Sequence, residues 1–193
     1  MRFALKIFAR GSVRNGLYVG AIAKIRIRLM DFTALKRFED ALAIYETERD
    51  VGRALHRLVE EIVGVKLFTM TADNPDAGYV RRVYSSDELA YPILGTKPIV
   101  FDANYEAMTR DRKTYVAASL KEMEGEFPDL ELIKSLGCGS AINMPVVAGG
   151  KMLGSVNLLH KAHYYGPERV AQMEELVVPA MACFLILRNS FTI

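Results

Sequence analysis

Apolar residues recur at helical spacing after Thr33 and at strand spacing further on. After Thr33, which can cap a helix, Leu35, Phe38, Leu42 and Tyr45 fall at i, i+3, i+7 and i+10, one face of an amphipathic helix. Asp50 can cap a second helix whose apolar positions are Val51, Leu55, Leu58 and Ile62. From Val65 the period shortens: residues 66–71 and 79–84 read as extended runs, and the turn-forming cluster at 73–78, Asp-Asn-Pro-Asp-Ala-Gly, joins them into a hairpin. Residues 85–113 are mixed and carry Pro92, Gly95 and Pro98, which predicts a short helix or turn, a loop, and a helical piece near 104–108. A short strand follows at 114–118. Ser119 and Glu122 then form a capping-box signature, and Pro128 suits the first turn of another short helix that Gly137 ends. Pro167 opens a long closing helix with Val170, Met173, Val177, Ala180, Phe184 and Leu187 on one stripe. Pro179 should kink it, because proline has no N–H to reach the carbonyl of Glu175.

The run from Gly137 to His160, GCGSAINMPVVAGGKMLGSVNLLH, is a second hairpin, and its strands carry polar residues inside apolar surroundings. Gly149-Gly150 suits a type I′ turn, which needs φ > 0 at both central residues. Uninterrupted pairing from that turn sets Ala148 opposite Lys151, Val146 opposite Leu153 and Ile142 opposite Asn157. Parity then gathers Ser140, Ile142 and Asn157 on one face and Asn143 on the other, unless Pro145 marks a bulge that shifts the count. A buried amide without a partner costs about 1–3 kcal/mol, so these asparagines imply a hydrogen-bond network or a ligand pocket. The element order predicts an α+β domain over residues 32–190: an antiparallel sheet of five or six strands with helices on both faces.

Composition narrows the class. The chain has 193 residues, 51% of them hydrophobic, enough for one globular domain with a substantial core. Residues 1–30 hold seven Lys/Arg and no acid, whereas the rest holds 18 basic against 23 acidic residues, so the globular part carries no nucleic-acid footprint. In the basic arm, residues 1–31, Arg2, Lys6, Arg10 and Arg14 follow a four-residue spacing, while Lys24, Arg26 and Arg28 alternate. No single period fits, its longest uncharged run is far shorter than the roughly 20 apolar residues a membrane span needs, and the arm is expected to lie outside the fold. Two cysteines without a CxxC motif suit a reducing, cytoplasmic setting.

The element order and three stretches together resemble a GAF domain, the small-molecule sensory fold related to PAS. The stretches are residues 136–146 (LGCGSAINMPV), 150–159 (GKMLGSVNLL) and 165–170 (YGPERV), and the resemblance spans about residues 33–187. It implies a sheet with the terminal helices on one face, often pairing two subunits, and a pocket on the other face roofed by residues 85–137. Cyclic-nucleotide-binding members carry an Asn-Lys, Phe, Asp-Glu constellation; the comparable stretch here reads His160-Lys161, Tyr164-Tyr165 and Glu168. Bilin-binding members place a cysteine in a different setting, and the free methionine sulfoxide reductases of this fold use several cysteines, where this chain offers Cys138 alone.

The residues therefore expected at a ligand pocket are Tyr91, Tyr115, Cys138, Ser140, Asn143 and Asn157. Tyrosine supplies area with one hydroxyl, and asparagine two donors and an acceptor. Cys138 sits between two glycines and is the candidate nucleophile of an alternative, a thiol-dependent redox enzyme or sensor. It follows a helix C-terminus, however, which opposes thiolate formation. Cys183 belongs to the apolar stripe of the last helix. His160 and His163 have no further ligands around them, so no metal site and no resident cofactor are expected. His56 reads as the polar margin of its helix, and Glu60-Glu61 and Glu122-Glu124-Glu126 as solvated faces. The expected function is that of a non-catalytic sensory domain for a small ligand. The expected partner is a second copy of the chain, joined through the first and last helices because their apolar stripes exceed what one sheet face covers; a purely structural dimerisation module is a further alternative.

Overall fold

The computed structural model describes residues 32–93, 95–101 and 103–191; the basic arm expected at 1–31 lies outside the described residues. Two helices come first, α1 (Phe32–Ala43) and α2 (Glu48–Ile62). α2 starts a turn earlier than the sequence suggests, and Thr47 rather than Asp50 caps it. The Asp50 N–H donates to Thr47 Oγ1 at 3.2 Å while the Thr47 N–H donates to Asp50 Oδ2 at 3.0 Å, a reciprocal capping box with the acid at its third position. The α1 stripe is not left exposed. Phe38 is buried, and Leu35, Leu42 and Tyr45 pack against the core.

Strands β1 (Leu67–Asn74) and β2 (Tyr79–Ser85) form the expected hairpin, followed by β3 (Lys97–Pro98), α3 (Ala103–Asp111), β4 (Tyr115–Ala117), α4 (Leu120–Met123) and α5 (Leu130–Ser135). Ser119 caps α4 and Gly137, at φ +64, follows α5, as the sequence implies. β5 (Ser140–Ala148) and β6 (Lys151–His160) turn at Gly149 and Gly150, whose φ values of 57° and 74° are those of a type I′ turn. The six strands form one antiparallel sheet in the order β3-β2-β1-β6-β5-β4. The closing helix is two, α6 (Pro167–Glu175) and α7 (Val177–Ser190), bent by 45° at Leu176, one turn before Pro179. That is where the missing proline N–H leaves the ladder open.

The second hairpin departs from uninterrupted pairing. Ala148 does face Lys151, but Val147 faces Met152 and Val146 faces Gly154, so Leu153 is an extra residue and every later pair shifts by one. Pro145 is not the bulge; it pairs with Ser155. Consequently Ile142 lies opposite Leu158, and Asn143 opposite Asn157. Ser140 and Ile142 share the other face, so the expected grouping of Ser140 and Ile142 with Asn157, away from Asn143, is reversed.

Alternation then sorts the strands into two faces. Phe68, Met70, Ala72, Ile142, Met144, Val156 and Leu158 meet Val51, Leu55, Met173, Phe184 and Leu187 from α2, α6 and α7, and Leu176 between the last two, in the main core. Full burial of such side chains contributes about 1.5–3 kcal/mol each relative to exposure. On the opposite face a smaller cluster joins Leu67, Leu159 and Ala141 to Tyr91, Ala117, Met123, Ile133 and Cys138. The segment around Tyr91 and the short helices α4 and α5 lie over this second face.

Candidate functional site

A cavity of about 490 Å³ opens on that second face. Its floor alternates with the core: Leu67, Thr69 and Thr71 from β1 interleave with buried Phe68 and Met70, and Asn157 and Leu159 from β6 interleave with Val156 and Leu158. β5 adds Asn143 and β2 adds Arg82, which pairs with Thr71. The roof comes from Ala90 and Tyr91, Lys97, and the approach to α5 with Phe127, Asp129, Leu132 and Ile133.

The polar groups fall into two sets. At one side the Tyr91 hydroxyl donates to Asp129 Oδ2 at 2.6 Å, a short charge-assisted bond, and the Arg82 guanidinium lies 5.0 Å from the centre of the Tyr91 ring. Arg82 Nη1 donates to the Pro92 carbonyl at 2.9 Å, while its Nε is buried without an acceptor. Burial first, and then Asp129, pushes the Tyr91 phenol well above its ordinary value. Burial lowers the Arg82 pKa, opposed by Tyr91 and Asp129, but a guanidinium stays charged in proteins. At the other side the Asn157 amide reaches Thr69 Oγ1 and Thr71 Oγ1 only at 3.4 and 3.5 Å, at the outer limit of hydrogen bonding. The Asn143 amide has no partner among the described residues. The arrangement holds one acid, two cations, two amides and three hydroxyls among apolar side chains. It can orient a small polar molecule.

Of the residues read from the sequence, the structure brings Tyr91, Asn143 and Asn157 together at this cavity. The other three are placed elsewhere. Tyr115 lies on β4 opposite Asn143, donates its hydroxyl to the Glu122 carbonyl at 3.0 Å and packs on Phe127. Ser140 is fully buried and donates to the Lys161 carbonyl at 2.7 Å. Cys138 is 4% exposed within the smaller cluster, and burial raises its thiol pKa, with Lys66 pulling weakly the other way. Burial in the main core pushes the Cys183 thiol up to about 12.

Sequence reading missed Arg82, Asp129, Thr69 and Thr71. The alternation of Thr69 and Thr71 with Phe68 and Met70 carried a signal for the threonines. Nothing local marked Asp129, which meets Tyr91 across 38 positions of sequence. His56 is not merely marginal: it stacks on Phe68 at 5.0 Å and its Nδ1 meets the Tyr84 hydroxyl at 3.1 Å. His160 stacks on Tyr164 with ring centres 3.4 Å apart, and its Nδ1 accepts the Lys161 N–H at 2.8 Å. Among the described residues no group of three or more His, Cys, Asp or Glu is placed to hold a metal ion, and no single helix is long and apolar enough to cross a membrane.

No family model matches this sequence, and neither does any curated protein. Solved structures do. The GAF domain of an Acinetobacter phosphoenolpyruvate-protein phosphotransferase is similar with a TM-score of 0.61 at 12% identity, over 86% of this chain and 98% of that one. The GAF domain of a two-component sensor histidine kinase from Bacillus halodurans aligns with a TM-score of 0.58 at 14% identity, over 72% and 95%. The chromophore-binding domain of an unusual bacteriophytochrome from R. palustris aligns with a TM-score of 0.60 at 12% identity, over 82% of this chain and 61% of that one. Six antiparallel strands in this order, terminal helices on one face and a roofed cavity on the other thus give the chain a GAF-like α+β fold.

Proposed function

We propose that this chain is a non-catalytic sensory domain that binds a small molecule in the cavity between the sheet and its roof, and that residues 32–190 are the binding unit. The observation that carries the reading is the Asn143 amide, which lines the cavity without a protein partner beside an Asn157 amide held only by long contacts. Half-buried amides that the protein does not pair can exchange water for a polar ligand at little cost. The likeness to sensor GAF domains, and to a domain of a bacteriophytochrome that binds a chromophore, supports the same reading. Native mass spectrometry of freshly purified protein tests it. A retained mass that disappears with Asn143→Leu is expected; a bare polypeptide mass whose stability no small polar molecule alters would overturn it.

The proposal includes a homodimer built on the first and last helices, in a cytoplasmic setting that keeps both buried cysteines as free thiols. Its basis is narrower than the whole stripes. With most of the α1 stripe packed inward, the exposed large apolar residues in this region are Phe32 and Ile44 at the two ends of α1, and Val178 and Leu185, seven positions apart on α7. Val178→Lys with Leu185→Lys should give a folded monomer by light scattering, and an unmodified chain that is monomeric at high micromolar concentration would sink the dimer. Catalysis by Cys138 gains no support from its surroundings, because the thiol is buried and burial makes the thiolate harder to form.

A further inference from the structure

Resting on the ligand-binding reading above, we propose that the cavity takes a small monocarboxylic acid, with its carboxylate on Arg82 and a hydrogen-bonding body on Asn143 and Asn157. The charges at the cavity are Arg82, Lys97 and Asp129, an excess of one positive charge. Asp129 is already engaged by the Tyr91 hydroxyl at 2.6 Å, and Arg82 has no carboxylate within ion-pair distance among the described residues. Of the five N–H groups on Arg82, only one at Nη1 has an acceptor among the described residues, the Pro92 carbonyl. The Tyr91 ring, its centre 5.0 Å from the guanidinium carbon, offers a cation–π contact rather than a hydrogen bond. A guanidinium so placed, part-buried and with its fork largely unfilled, suits a planar carboxylate.

Net charge narrows the class further. A dianionic phosphate would bring a second negative charge against Asp129, with only the exposed Lys97 to offset it. A neutral apolar molecule would bury Arg82 and the Asn143 amide without partners. One carboxylate balances the cavity. The far side offers amides and hydroxyls from Asn143, Asn157, Thr69 and Thr71 above the apolar floor of Leu67 and Leu159, so the rest of the ligand carries both hydrogen-bonding groups and some apolar surface.

The test uses the full chain and three acids of graded size, N-acetylalanine, 5-oxoproline and 4-hydroxyphenylacetate, each paired with its own primary amide. Binding is read by titration calorimetry. At least one acid is expected to bind about 10- to 100-fold more tightly than its amide, the range a charge-assisted hydrogen bond supplies. Arg82→Gln should remove that preference, weakening the acid far more than its amide. Arg82→Lys, which keeps the charge without the fork, should recover it only in part, and circular dichroism identifies any variant that fails to fold. An amide that binds as tightly as its acid, or an acid indifferent to Arg82→Gln in a folded protein, overturns the carboxylate assignment. If every acid and amide fails but the purified protein retains a neutral molecule sensitive to Asn143→Leu, the carboxylate class falls and the binding reading stands. If no probe binds and no mass is retained, both fall.

Discussion

The two faces of the central sheet are built from the same strands, yet they are chemically opposite. Toward α2, α6 and α7, β1 and β6 present Phe68, Met70, Val156 and Leu158, all fully buried and apolar. One residue along, the same strands present Thr69, Thr71 and Asn157 to a cavity of about 490 Å³. The first face is finished by the chain itself. The second has hydroxyls, amides and a guanidinium whose hydrogen-bonding capacity the chain uses only in part. Dense apolar packing makes one side a rigid platform, and incomplete satisfaction makes the other a place where a ligand can add stability.

That contrast can be broken most severely from the packed side. Phe184 is fully buried, and Phe184→Ala should cost about 3–5 kcal/mol in urea denaturation. Asn143→Leu on the cavity side should change stability by less than about 1 kcal/mol, since it removes an amide the protein does not satisfy. A loss of several kcal/mol at Asn143 would mean that both faces are structural. Gly154 sits where the faces meet. A Cβ there would lie 2.2 Å from the Thr71 carbonyl oxygen and 2.5 Å from the Phe184 ring, so Gly154→Ala should cost about 1–3 kcal/mol and disturb the pairing next to the bulge. Amide exchange measured along β6 would locate that disturbance.

Smaller effects sharpen the comparison. Tyr91→Phe removes the 2.6 Å bond to Asp129 and should lower stability by about 1 kcal/mol while weakening retention of any ligand. At the far end of β1, burial raises the Asp73 pKa above its ordinary 3.8, against the opposing effects of Tyr105 and Arg188. A folded-state pKa above the unfolded one means that the native state binds the proton more tightly. The resulting stability is therefore fully present below 3.8 and is lost as pH rises through the folded value. Asp73→Asn should flatten this part of the profile and raise the melting temperature near neutral pH. A profile unchanged by the substitution would show that Asp73 is ionised at no extra cost.

Sequence pattern carried most of the architecture. The 3.6-residue stripe of α2, the alternation in β1, the paired glycines of the second hairpin and the break before Pro179 are local consequences of side-chain shape and backbone freedom, legible without knowing what lies opposite. Tyr91 and the two asparagines could be singled out because polar groups in apolar strands are costly wherever they are buried. Tertiary structure decided which way those groups point. The bulge that carries Asn143 and Asn157 to one face lies at Leu153, beside Gly154, which is in close contact with Thr71 on the neighbouring strand and Phe184 thirty residues further along. It likewise set Tyr91 against Asp129 and Arg82 against the Tyr91 ring, and withdrew Tyr115, Ser140 and Cys138 from the cavity. Periodicity assigns a residue to a face only while the register is unbroken, and register is settled by contacts between segments distant in the chain.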